Sequence, residues 1–170
     1  MVKGEAKDVA TRQTFGHWEA DTIVSGRGKS RACMATFAER HTRMYIAIPM
    51  CDRTAISLSN AVRTLVALYA PGAIRTLTVD RGKEFAAHQA VSGELHIPIY
   101  FADAYAAWQR GTNENSNGLL REFFAKGTDL ATVTTTQLQY ALTAINTRPR
   151  KCLHWQSADD CFRNALSHLT

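Results

Sequence analysis

Three carboxylates in this chain stand where they could do chemistry together. Asp21 is read towards the close of a strand-like run from His17 to Val24. Asp80 ends a second run, Ile74 to Asp80, and the chain breaks immediately at Arg81-Gly82. Open α/β sheets place ligands in the crevice at the ends of their strands. Glu114 falls in the first turn of a helical pattern that follows Gly111, with Thr112 or Asn113 as the expected cap. At about 100° per residue, Glu114, Asn117 and Arg121 lie within roughly 60° of one another, and Leu119, Leu120, Phe123 and Phe124 form the opposite stripe. Taken alone, such a polar stripe is an ordinary solvated face. Two aspartates and a glutamate converging from two strands and a helix would instead suit a hard cation such as Mg²⁺ or Mn²⁺. Two such ions about 3.5–4 Å apart can activate an attacking oxygen and stabilise a departing one at phosphorus.

The elements that must position these groups follow from periodicity and punctuation. Strands are expected at 17–24, 32–38 and 44–50, joined by polar turns, which makes an antiparallel meander. A helix from Asp52 to Ala70 follows, with Ile56, Val62, Leu65, Val66 and Tyr69 as core contacts, and Pro71-Gly72 stops it. A strand at 74–80, a helix at 83–95 and a strand from Pro98 to Phe101 come next, the last two strands adding in parallel. The result is an α/β fold, a mixed five-stranded sheet flanked by helices. Pro49 suits a strand end or an edge. A final helix is expected at 135–147, with Leu138, Leu142 and Ile145 inward and Pro149 ending it. Gly28-Lys29-Ser30 imitates the end of a phosphate-binding loop. That motif needs glycine where Ile23 stands, and a helix afterwards, so the segment is a hairpin turn.

At 170 residues the chain suits one domain with a sizeable core. Residues 1–14 read as a linker or flexible end and 15–170 as the core. The net charge of +5 fits a polyanionic partner. No apolar run is long enough to span a bilayer, and no secretory signal opens the chain. Cys33, Cys51, Cys152 and Cys161 form no CxxC pair, and Cys152, His154 and Cys161 match no structural zinc spacing. Reduced thiols and a cytoplasmic location are expected.

The segments WEADTI (18–23), TVDRGKEF (78–85), YFADAYAAWQRGTNENSNGLLREFFAKGTDL (100–130) and NTRPRKCL (146–153) together resemble the catalytic domain of the insertion-sequence-thirty family of bacterial transposases. More broadly they resemble the DDE integrase core, which has a ribonuclease H-like fold. The resemblance runs from about Phe15 to Phe162. Residues 81–113, thirty-three in all, separate Asp80 from Glu114, which suits the spacing of such enzymes. It implies Asp21, Asp80 and Glu114 as catalytic and metal-binding residues, with Asp21 shared by two Mg²⁺ or Mn²⁺ ions. Water would first attack at a transposon end, and the freed 3′-hydroxyl would then attack another phosphodiester. The implied partners are the inverted-repeat ends and a target duplex, bound by a homo-oligomer associated with the bacterial nucleoid. Full-length members carry a helix-turn-helix region before this domain, so the chain is expected to be an excised catalytic domain or a truncated reading frame.

Arg121, Arg81, Asn117, Lys126 and Trp108 are the expected DNA contacts. Arg121 lies two helical turns beyond Glu114, about 10 Å along the axis, a reach that suits a backbone phosphate. Its structural alternative is an ion pair with Glu122 or Asp129. Trp108 is read as a base-stacking or a buried side chain, and Glu19 and Glu84 as structural carboxylates. The sequence departs from the family where Arg81 replaces the usual Asn after Asp80, where Ala125 replaces a proline, and where Ser157-Ala158-Asp159-Asp160 replaces Thr-Pro-x-Glu. Two alternatives follow: a catalytically silent DNA-binding or oligomerisation remnant, and a ribonuclease H-like nuclease that cleaves without joining.

Overall fold

Alternation along the strands decides which helix covers which face. The computed structural model describes residues 11–80, 82–102 and 111–169. In β1 (His17–Val24), Trp18 and Ala20 enter one core, while Ile23, with Glu19 and Asp21, belongs to the opposite face. β2 (Cys33–Glu39) and β3 (Tyr45–Met50) complete an antiparallel meander, and β4 (Thr76–Val79) and β5 (Ile99–Phe101) add in parallel. The strand order is β3-β2-β1-β4-β5. Pro49 lies on the edge strand, where its missing N–H costs no ladder bond.

Helices cover both faces, and every residue of β2 is buried. α1 (Ala55–Ala67) links β3 to β4. A 3₁₀ turn (Lys83–Phe85) and α2 (His88–Leu95) link β4 to β5, and α3 (Gly111–Phe123), α4 (Thr135–Thr147) and α5 (Ala158–Ser167) follow. Leu58 and Leu65 of α1, Val91 of α2 and Phe162 of α5 pack with Trp18, Phe37 and Leu77. On the other face, Leu120 of α3 and Leu138 and Ile145 of α4 pack with Ile23, Met34 and Tyr45. No helix among the described residues is long and apolar enough to cross a membrane.

Three local departures have physical causes. α1 starts later than expected because the Thr54 side chain caps the amide of Ser57, and Ile56, expected in the core, is 74% exposed in its first turn. The single helix expected at 83–95 is divided. Glu84 is drawn inward to accept from Arg53 Nε at 2.7 Å and Thr22 Oγ1 at 3.1 Å, and this turn precedes the regular helix. α5 was not expected. Ser157 caps it by accepting from the Asp160 amide at 3.1 Å, and Phe162 meets Phe15, Trp18 and Tyr69 at ring distances of 5.3, 5.8 and 5.0 Å. Burying such a ring is worth about 1.5–3 kcal/mol, which can hold a short helix that is marginal alone.

The β1–β2 hairpin also touches the turn after α3. The amide of Gly26 donates to Thr128 O at 3.0 Å, and a Cβ at position 26 would collide with the backbone of Gly127.

Candidate active site

Parallel pairing brings the two aspartates to one level. β1 and β4 pair as His17↔Thr76, Trp18↔Leu77 and Glu19↔Thr78. Two residues further along that register, Asp21 comes beside Asp80, on the sheet face that α3 covers. Asp21 lies inside β1, opposite Thr36, and not at the strand end as expected. It is β4 that ends, at Val79, and so delivers Asp80. Both aspartates are half-buried. Asp21 Oδ1 accepts from the Thr22 amide at 2.8 Å and Oδ2 from Asn117 Nδ2 at 3.2 Å. Asp80 Oδ1 accepts from the Gly82 amide at 2.8 Å, and a Cβ on Gly82 would collide with the carboxylates of Asp80 and Glu84.

Asn113 holds the start of α3 against the sheet. Fully buried, it donates from Nδ2 to Glu19 O and Thr36 O, both at 3.0 Å, and accepts from Thr36 Oγ1 at 3.1 Å. Its backbone amide donates to Glu19 Oε2 at 2.8 Å, so a strand carboxylate satisfies one of the helix's first amides. Thr112 and Asn113, the expected caps, are therefore both inside the helix, and Thr112 Oγ1 accepts from Arg43 at 2.9 Å. Glu19 is fully buried, with Arg40 at 3.1 Å and Arg12 at 3.7 Å. Burial pushes its carboxyl up, while Arg40, the Asn113 amide and Arg12 pull it down. One turn along α3, Tyr45 Oη donates to Asn117 Oδ1 at 2.7 Å, which turns the amide's NH₂ towards Asp21. Glu114 lies between these two anchors, exposed in the first turn.

The remaining expected residues are distributed differently. Arg121 donates to the carbonyls of Val24, Phe124 and Ala125 at 3.2, 3.4 and 3.5 Å, tying the end of α3 to the end of β1. Glu122 instead meets Arg148, and Asp129 accepts from Ser30. Lys126 is exposed just beyond α3. Arg81 and Trp108 lie outside the described residues. Glu84 is buried against Arg53 and Thr22.

A family model described as "Integrase core domain" matches residues 11–107, more than half of the chain and the part that carries both aspartates. The chain belongs to the integrase core domain family. It is 38% identical over 164 residues to the transposase for insertion sequence element IS1086 of Cupriavidus metallidurans, covering 96% of this chain and 48% of that protein. It is 35% identical over 167 residues to transposase InsI for insertion sequence element IS30A of Escherichia coli, covering 98% of this chain and 43% of that protein. The chain thus spans less than half the length of these relatives. The crystal structure of the catalytic core domain of BIV integrase superposes with a TM-score of 0.71 at 18% identity, covering 92% of this chain and 98% of that one. The fold is the ribonuclease H-like fold of integrase cores.

The donor set of this integrase core suits a hard divalent cation. Asp21 and Asp80 offer carboxylate oxygens from adjacent strands, and each has a hydrogen bond that fixes its orientation. Among the described residues, no three His, Cys, Asp or Glu side chains close on a common point. Mg²⁺ does not require that, because it keeps several waters and takes one or two protein carboxylates beside substrate phosphate. Sequence reasoning missed Asn113 and Tyr45 as anchors of the core. Asn113 reaches partners 77 and 94 residues away and Tyr45 one 72 residues away, and no local pattern encodes such contacts.

Proposed function

We propose that this chain is the metal-dependent catalytic core of a DNA transposase, cleaving phosphodiester bonds at transposon ends and joining the freed 3′-hydroxyl to a second duplex. The observation that carries this reading is the alignment of Asp21 with Asp80 on one sheet face, beneath the half of α3 that bears Glu114. The relatives named as transposases support it. Asp21, Asp80 and Glu114 would hold Mg²⁺ or Mn²⁺, which when bound supplies Lewis acidity at the phosphoryl oxygens. The chain's own residues set the geometry. Asn117 holds the Asp21 carboxylate, Tyr45 holds Asn117, and Asn113 fixes the height of Glu114 above the sheet. Lys126, Arg121, Arg81 and Trp108 are proposed to contact the DNA, and a homo-oligomer to hold the two transposon ends together.

The test is a labelled transposon-end duplex incubated with Mg²⁺ or Mn²⁺, comparing wild type with Glu114→Gln. Wild type is expected to give nicked and joined products. The variant should give neither, with unchanged thermal unfolding in metal-free buffer, because Glu114 is exposed. Cleavage without joining would make the chain a nuclease. DNA binding with no metal-dependent cleavage would make it a silent module.

A further inference from the structure

We propose that the loop at 148–156 is a second DNA contact, in which Trp155 stacks on an unpaired base while Arg148 and Lys151 meet the flanking phosphates. The loop is closed at its base by a bridge between Pro149 and Ser157 and by the Arg150 amide donating to Gln156 O at 3.0 Å. The Trp155 amide donates back to Arg150 O at 2.9 Å, and Leu153 is buried beneath. His154 and Trp155 have φ of 53° and 67°, two successive non-glycine residues in the left-handed region. Side chains of this size rarely adopt that backbone, and it persists where surrounding bonds over-determine it. The outcome is an indole 69% exposed on a hydrogen-bonded turn. By contrast, Trp18 is fully buried with its Nε1 donating to Ala73 O at 2.9 Å.

Basic residues share the loop with the indole. Arg148 and Lys151 are exposed, and Arg148 meets the exposed Glu122 at 3.2 Å, a type of pair that is worth little and that a phosphate can replace. Arg150, half-buried, donates to Ile145 O at 3.1 Å, and its pKa is lowered by burial and further by the charges of Arg43 and Arg148. Arg43 in turn donates to Thr112 in the first turn of α3. Arg43, whose charge weighs on Arg150, thus ties the loop to the start of the helix that bears Glu114. An aromatic face beside cations is the chemistry that binds single-stranded nucleic acid without reading its sequence. The identification of the strand as DNA rests on the transposase reading above.

The experiment is fluorescence anisotropy in metal-free buffer, with a duplex carrying an unpaired 3′ tail and a flush duplex of the same sequence. Stacking at one base corresponds to about a 5- to 150-fold change in affinity. Trp155→Ala is expected to lose that much on the tailed duplex and little on the flush one, and Trp155→Phe to retain most of the affinity. Lys151→Ala should flatten the dependence on salt by about one phosphate contact. Trp155→Gly relieves the left-handed backbone, so it should unfold at a higher temperature than wild type and still bind the tail weakly, which separates lost stacking from lost folding. Trp155→Ala within twofold of wild type on the tailed duplex, or equal loss on both duplexes, would overturn the proposal. Because no metal is present, failure here is distinguishable from failure of the cleavage chemistry.

Discussion

Replacing Asn113 by Ala should cost this small domain a large part of its stability. The side chain makes three hydrogen bonds in a fully buried site, to Glu19 O, Thr36 O and Thr36 Oγ1, at 3.0, 3.0 and 3.1 Å. A buried hydrogen bond contributes a net of about 1 kcal/mol, so the three together are worth about 3 kcal/mol. Alanine's better helix propensity returns about 0.5 kcal/mol, and the backbone bond to Glu19 Oε2 survives. For a chain of 170 residues, about 2.5 kcal/mol lowers Tm by about 5–10 °C. Urea unfolding of wild type and variant measures the loss as a lower midpoint with an unchanged slope. Glu19→Gln combined with Asn113→Ala should cost less than the sum of the two, because each loosens the same junction between β1 and α3, the side chain of one residue bonding the backbone of the other. A loss below about 1 kcal/mol, or strict additivity with Glu19, would refute the claim that this asparagine clamps α3 to the sheet.

Arg121→Ala should lower Tm modestly, because the guanidinium bridges Val24 O to the end of α3. It should also flatten the salt dependence of DNA binding by about one phosphate contact, on transposon-end and scrambled duplexes alike. Lower stability with an unchanged salt slope would leave Arg121 purely structural. Alkylation at pH 8 should modify the exposed Cys51 and Cys152 well before Cys33. Burial, helped by the charge of Asp52, pushes the Cys33 thiol up to about 11, so little of the nucleophilic thiolate forms at that pH. Equal labelling rates by mass spectrometry would contradict the buried position of Cys33.

The strands were legible because their side chains alternate between two cores, and the helices at 111–123 and 135–147 because their apolar stripes are regular. α5 was missed although its signal is present: Ser157 followed three residues later by Asp160 marks a helix start. That stretch reads as a departure from a family pattern until Phe162 is seen to enter the Trp18 aromatic group. Ile56 misled because apolar spacing reports a helical period without fixing where the helix meets the sheet. In the candidate site, the carboxylates stand out by type and spacing, but the level of Asp21 against Asp80 depends on a strand register that only the folded sheet sets. Arg121 and Asn117 look alike on a helical wheel as polar residues facing outward. In the fold Arg121 also bonds Val24 O and Asn117 bonds Asp21, and those partners enter from β1.

We propose that Asp21 and Asp80 form one divalent-cation site beneath Glu114. Crystals of the chain soaked in Mn²⁺ and measured for anomalous scattering test it most directly. A peak bounded by carboxylate oxygens of Asp21 and Asp80 is expected, and it should be lost in Asp80→Asn with the backbone unchanged. A peak bound elsewhere, or none at saturating Mn²⁺ with both aspartates held as described, would contradict it.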